Sequence, residues 1–123
     1  MSDSSLRLDC AVDAAMSVIE GKWKAVVICK IGHNGKMRFN ELIKEIPSIS
    51  SKVLTNQLRE LEGDGIIQRE ASATSKRVTY SLTSKGIALG PALIELAKWG
   101  RDHMSFTRVI FDETVDTEVK IYS

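Results

Sequence analysis

Between residues 48 and 82 the apolar positions change period once, and that change restricts the fold more than any other feature of the chain. In "SISSKVLTNQLRELEGDG", Leu54, Leu58 and Leu61 recur at helical spacing. Ser50 stands at the N-cap, where its hydroxyl can accept a bond from an otherwise unpaired amide, and Ile49 and Leu54 flank it in hydrophobic-staple positions. In "IIQREASATSKRVTYSLT" the period becomes two. Ile67, Arg69 and Ala71 alternate with their neighbours, as do Val78, Tyr80 and Leu82. The polar stretch between these runs reads as a hairpin tip, with Lys76 and Arg77 at or beside it.

Upstream, "VDAAMSVIEG" reads as a short helix closed by Gly21. "KWKAVVICKIGHNG" carries Trp23, Val26, Val27 and Ile31 at spacings of three and four and is read as a second helix. The β-branched run "VVICKI" before Asn34-Gly35 also allows a strand leading into a turn. "FNELIKEIP" places Phe39, Leu42, Ile43 and Ile46 on one helical face and is stopped by Pro47, which disfavours helical geometry in the residue before it. The helix at Ser50 follows after a brief turn. An amphipathic helix, a tight turn, a second helix and a hairpin carrying basic residues make a winged helix-turn-helix, mainly α with a small β-hairpin.

Thr83 is positioned to cap a last long helix, "SKGIALGPALIELAKWGRDHM", interrupted by Pro91, which should bend it. Ile87, Leu89, Leu93, Ile94, Leu96, Ala97 and Trp99 surround most of its circumference. That is more apolar surface than one small domain covers, so a second subunit is expected to meet it around Leu89, Leu93, Leu96 and Trp99. The chain's 123 residues fit one domain, taken as residues 1–105 with flanking N- and C-terminal dimerisation helices. Residues 106–123 alternate only weakly and form a tail with no assigned structure.

The formal net charge of +1 hides a segregation: residues 1–21 carry −3, residues 22–85 carry +6 and residues 86–123 carry −2. A polyanion would find its complement in the middle of the chain. No apolar run approaches the roughly 20 residues of a membrane span, and the N-terminus lacks a signal-peptide pattern, so the protein is expected to be cytoplasmic. Two cysteines, Cys10 and Cys29, are too few for a disulfide framework and have no zinc spacing. No phosphate-binding glycine loop, nucleophile elbow or HExxH motif is present, and His33 and His103 stand apart, so neither an enzyme nor a bound cofactor or metal is expected.

At about 100° per residue from Ser50, the three leucines of the fourth helix fall between roughly 20° and 80°, whereas Thr55, Arg59, Lys52 and Asn56 fall between roughly 140° and 240°. Arg and Lys can donate to guanine, Asn can pair both ways with adenine, and Thr offers a methyl that suits thymine. Ser51, in the first turn, can hold a phosphate with the amides there. Arg38, Lys76 and Arg77 add further phosphate contacts. A solvated face is the plain alternative, yet the acids Glu60 and Glu62 lie on the flanks of this one.

With those residues in place the chain resembles the HxlR-type family of bacterial winged-helix transcriptional regulators, relatives of the MarR group. The resemblance rests on Cys10 to Asp13, "GKWK" at Gly21 to Lys24, "RFNEL" at Arg38 to Leu42, "LTNQLRELEGDG" at Leu54 to Gly65, "YSLTSKG" at Tyr80 to Gly86 and "WGRDH" at Trp99 to His103. It implies a homodimer on double-stranded operator DNA, answering to a small-molecule or oxidant effector, with Cys10 as the redox-sensing position. The chain departs from the pattern at Ala11, where proline is common, in the wing tip and beyond His103.

Two further questions are open from sequence. A winged helix can serve as a protein-interaction module without reading DNA, and its signature would be an apolar outer face on the fourth helix. Cys10, read as lying just ahead of the first helix, is either a thiolate favoured by the helix N-terminus and opposed by Asp9 and Asp13, or a small packing residue near the dimer contact. Cys29, in the middle of an apolar helix, is read as core.

Overall fold

The structure is a computed structural model that describes residues 3–74 and 77–104. Its elements run α1 (Asp3–Ile19), α2 (Lys24–Asn34), β1 (Lys36–Met37), α3 (Phe39–Glu45), α4 (Ser51–Gly63), β2 (Ile67–Ala71), β3 (Val78–Leu82) and α5 (Ser84–His103). "VVICKI" is helical, within α2. Lys76 and the tail 106–123 lie outside the described residues.

Helix α2 is the axis of the domain. Val27, Ile28 and Ile31 along one side are buried, and they join Leu42 of α3, Leu54, Leu58 and Leu61 of α4, Ile66, Ile67 and Leu93 in one core. Burying a side chain of this size contributes about 1.5–3 kcal/mol, so these faces hold α3 and α4 against α2. Two lysines of α2 are buried with the apolar residues. Lys24 Nζ lies 2.6 Å from Glu60 Oε1 on α4, and Lys30 Nζ 3.3 Å from Glu45 Oε1 on α3. Each ammonium therefore ties α2 to one helix of the helix-turn-helix.

The local signals for α4 are realised. Ser50 Oγ accepts the Val53 amide at 3.1 Å. The helix ends where Gly65, at φ +77°, adopts the left-handed conformation that few other residues tolerate, and the Ile66 amide returns to the Leu61 carbonyl at 2.9 Å. Thr83 then fastens α5 to this corner. Its hydroxyl donates to the Gly65 carbonyl at 2.5 Å and accepts the Gly86 amide at 3.2 Å. A Cβ on Gly86 would collide with the Ile66 carbonyl oxygen, so only glycine permits this approach.

The sheet differs from the expected two-stranded hairpin. β2 and β3 pair antiparallel with Ile67 opposite Leu82 and Ala71 opposite Val78, and a third strand, β1, pairs with the other edge of β3. β1 is two residues long, too short to display a period, and follows the turn at Gly35, whose amide donates to the Ile31 carbonyl at 2.8 Å.

The first helix also differs. It begins at Asp3, so Cys10 lies about two turns inside α1 rather than ahead of it. The amides and field of the helix N-terminus, which fade within the first turn, do not reach its thiol. At its far end α1 packs Val18 and Ile19 against the core, while Leu8, Val12 and Met16, spaced four apart, stay uncovered.

Candidate nucleic-acid interface

Helix α4 separates its sides sharply. Leu54, Leu58 and Leu61 retain at most 3% of their exposure, whereas Lys52, Thr55, Asn56 and Arg59 are all exposed. Ser51 is exposed in the first turn, where the leading amides lack intrahelical partners; that of Val53 is taken by Ser50. The Thr55 hydroxyl donates to the Ser51 carbonyl at 2.8 Å, so its proton is engaged within the helix while the residue stays exposed. Glu60, beside Arg59 in sequence, is engaged by Lys24 on the inner side. Between Glu60 on one flank and the exposed Glu62 on the other, the outer face carries Lys52 and Arg59 among neutral polar groups.

A second cluster lies at the sheet. Arg38 is the N-cap of α3; its amide donates to Glu41 Oε1 at 2.8 Å, and the residue is exposed. Arg38 and Arg77 meet in a shallow open groove of about 400 Å³ between β1 and the distal part of the hairpin. Lys36 joins them there, a cation the sequence reading passed over. Its signal was its place directly after the Asn34-Gly35 turn, which sets it on an exposed strand edge.

The four residues expected at a subunit contact divide. Leu93 is buried in its own chain and Leu89 packs partly against the same core, so both help seat α5 on α2. Leu96 and Trp99 remain 54% and 53% exposed. Trp99 stacks on His103 with ring centroids 5.0 Å apart. On α1, Leu8, Val12 and Met16 form an uncovered stripe that begins one turn before Val12, where the sequence pattern places the start of the helix. Cys10 is exposed, about 160° around α1 from the middle of that stripe. Burial of Cys29 raises its thiol pKa, and Lys30 beside it lowers it in part.

Among the described residues, no cluster of His, Cys, Asp or Glu could hold a metal ion, and no helix is long and apolar enough to cross a membrane. Two adjoining helices with a polar, cationic second member and a basic hairpin beside them define a winged helix-turn-helix of the DNA-binding class. The chain belongs to the HxlR-like helix-turn-helix family, whose sequence model matches residues 18–108. Its relatives are regulators of transcription, not enzymes. It is 44% identical over 93 residues to an HTH-type transcriptional regulator of Methanothermobacter thermautotrophicus, covering 75% of this chain and 70% of that one. It is 41% identical over 100 residues to the regulator YtcD of Bacillus subtilis, covering 80% and 79%. Among solved structures, the redox regulator HypR in its oxidised form is similar at a TM-score of 0.71 with 41% identity, covering 79% of this chain and all of that one. The reduced form of YodB from B. subtilis is similar at 0.67 with 32% identity, covering 76% and 91%.

Proposed function

We propose that the protein is a cytoplasmic, homodimeric regulator that sets α4 into the major groove of a near-palindromic operator. Thr55, Asn56 and Arg59 read base edges. Arg38, Ser51, Lys52, Lys76 and Arg77 hold phosphates. The observation that carries this reading is the outer face of α4, where Lys52, Thr55, Asn56 and Arg59 are all exposed and Glu60, on one flank, is paired with Lys24. A protein-docking winged helix would present apolar residues there.

The dimer is supported by apolar surface that the single chain leaves open, Leu8, Val12 and Met16 on α1 with Leu96 and Trp99 on α5. Two-fold symmetry would space the recognition helices about 34 Å apart, one turn of DNA. An oxidant or electrophile as effector is supported by the exposed Cys10 on α1 and by the redox regulators among the similar structures.

Selection from a random-sequence duplex library tests the function. Enrichment of an inverted repeat with half-sites one helical turn apart supports the reading. A library recovered without any enriched sequence overturns it.

A further inference from the structure

The register of the sheet places an unusual group of charges on one face. In antiparallel strands, residues directly opposite one another share a face and alternate residues return to it. Lys36 and Gln68 both lie opposite Ser81, and Glu70 lies opposite Thr79. Lys36, Gln68, Glu70, Thr79 and Ser81 therefore share the face turned away from Met37 and Ile67, which are buried. Gln68 Nε2 bonds Ser81 Oγ at 3.3 Å on that face. Arg77, two residues before Thr79, continues the row.

Lys36 Nζ reaches Glu70 Oε1 at 3.4 Å, bridging the two outer strands over the central one. Both side chains are more than half exposed. Such a pair is held weakly, because water screens it and two long side chains must be ordered to keep it. Around it, Arg38 and Arg77 line the same groove, so three cations face one carboxylate. The groove is open to solvent, as contact with a polymer backbone requires. Its excess positive charge sits beside the wing, on the sheet face that leads to the hairpin tip.

We propose that this groove is a seat for one DNA backbone phosphate and that Glu70 is its built-in competitor. The inference rests on the DNA-binding reading of α4. In the free protein the Glu70 carboxylate occupies Lys36 as a phosphate would. On binding, Lys36 exchanges that carboxylate for the phosphate, which Arg38 and Arg77 also contact, and Glu70 returns to water. Glu70 thereby lowers affinity for every DNA backbone equally, and stable binding comes to depend on the base contacts of α4.

The test measures affinity and salt dependence on a fluorescent duplex of about three helical turns, in random sequence and in the sequence selected by the wild-type protein. Glu70→Gln is expected to tighten binding about three- to tenfold on both duplexes and to steepen the salt slope by roughly one. Lys36→Gln is expected to weaken both to a similar degree. Glu95→Gln, which removes the same charge from α5, is the control and should leave affinity within about twofold. The exposed pair contributes little to folding, so all three variants should remain folded. An effect of Glu70→Gln no larger than that of Glu95→Gln overturns the proposal, as does a gain confined to the selected duplex or an unchanged Lys36→Gln. A wild-type protein that binds neither duplex at low salt overturns the DNA-binding reading itself.

Discussion

The ammonium of Lys24, on α2, lies 2.6 Å from the carboxylate of Glu60, on the recognition helix. The Lys24 side chain keeps 7% of its exposure and Glu60 keeps 57%, so the two partners are not equivalent. Removing the carboxylate strands a charge in the interior, while replacing the lysine with an apolar residue removes the charge and its need together. We expect Glu60→Gln to destabilise by about 1–3 kcal/mol and Lys24→Met by less than about 1 kcal/mol, read from urea unfolding. The reverse order would mean that Lys24 reaches solvent by another route.

Gly86 meets the Ile66 carbonyl where α5 begins. Alanine would favour the helix by up to about 1 kcal/mol, yet its methyl would strike backbone rather than a movable side chain. The clash should win, with Gly86→Ala costing about 1–3 kcal/mol in thermal or urea unfolding. A stabilised Gly86→Ala would show that α5 can shift away from the corner at no cost.

Val12→Lys and Trp99→Glu place charges on the uncovered apolar surfaces of α1 and α5. Each should raise the dimer dissociation constant by at least about tenfold in sedimentation velocity, without loss of helical signal. Leu93→Ala should act differently, destabilising the monomer by about 2–5 kcal/mol, because that side chain is buried in its own core. A wild-type protein that is monomeric at micromolar concentration removes the dimer from the proposal.

The two thiols should separate by reactivity. Burial raises the Cys29 pKa, so near neutral pH its thiolate fraction is small, and its alkylation should rise only as the solution becomes more alkaline. Cys10 is exposed and should be modified first by iodoacetamide, as peptide mapping would show. If Cys10 carries a redox signal, diamide should change DNA affinity in the wild type and leave Cys10→Ser unchanged. Equal responses would place the signal elsewhere.

The elements that sequence reveals are those whose information is local. Ser50 and Thr83 announce their helices by hydroxyls next to the bonds they make, and Leu54, Leu58 and Leu61 declare their side by spacing alone. β1 escapes because two residues have no period and its partner lies more than forty residues away. The burial of Lys24 and Lys30 escapes because a lysine's default is water, and only the assembled fold brings Glu60 and Glu45 within reach. Leu93 could not be told from Leu96 on a helix apolar around most of its surface; packing on α2 decides which one the monomer buries. In the candidate interface the α4 face was legible, whereas the groove was not, since it depends on β1 bringing Lys36 beside Arg38 and Arg77.

The central claim is that α4 reads bases, and Arg59 tests it most directly. Arg59→Ala should be titrated against the duplex selected by the wild-type protein and against a scrambled duplex at the same salt concentration. A loss of about 1–3 kcal/mol is expected on the selected duplex, with relaxed base preference at one position of each half-site and little change on the scrambled one. Equal losses on the two duplexes would contradict it and reduce Arg59 to a contact with the backbone.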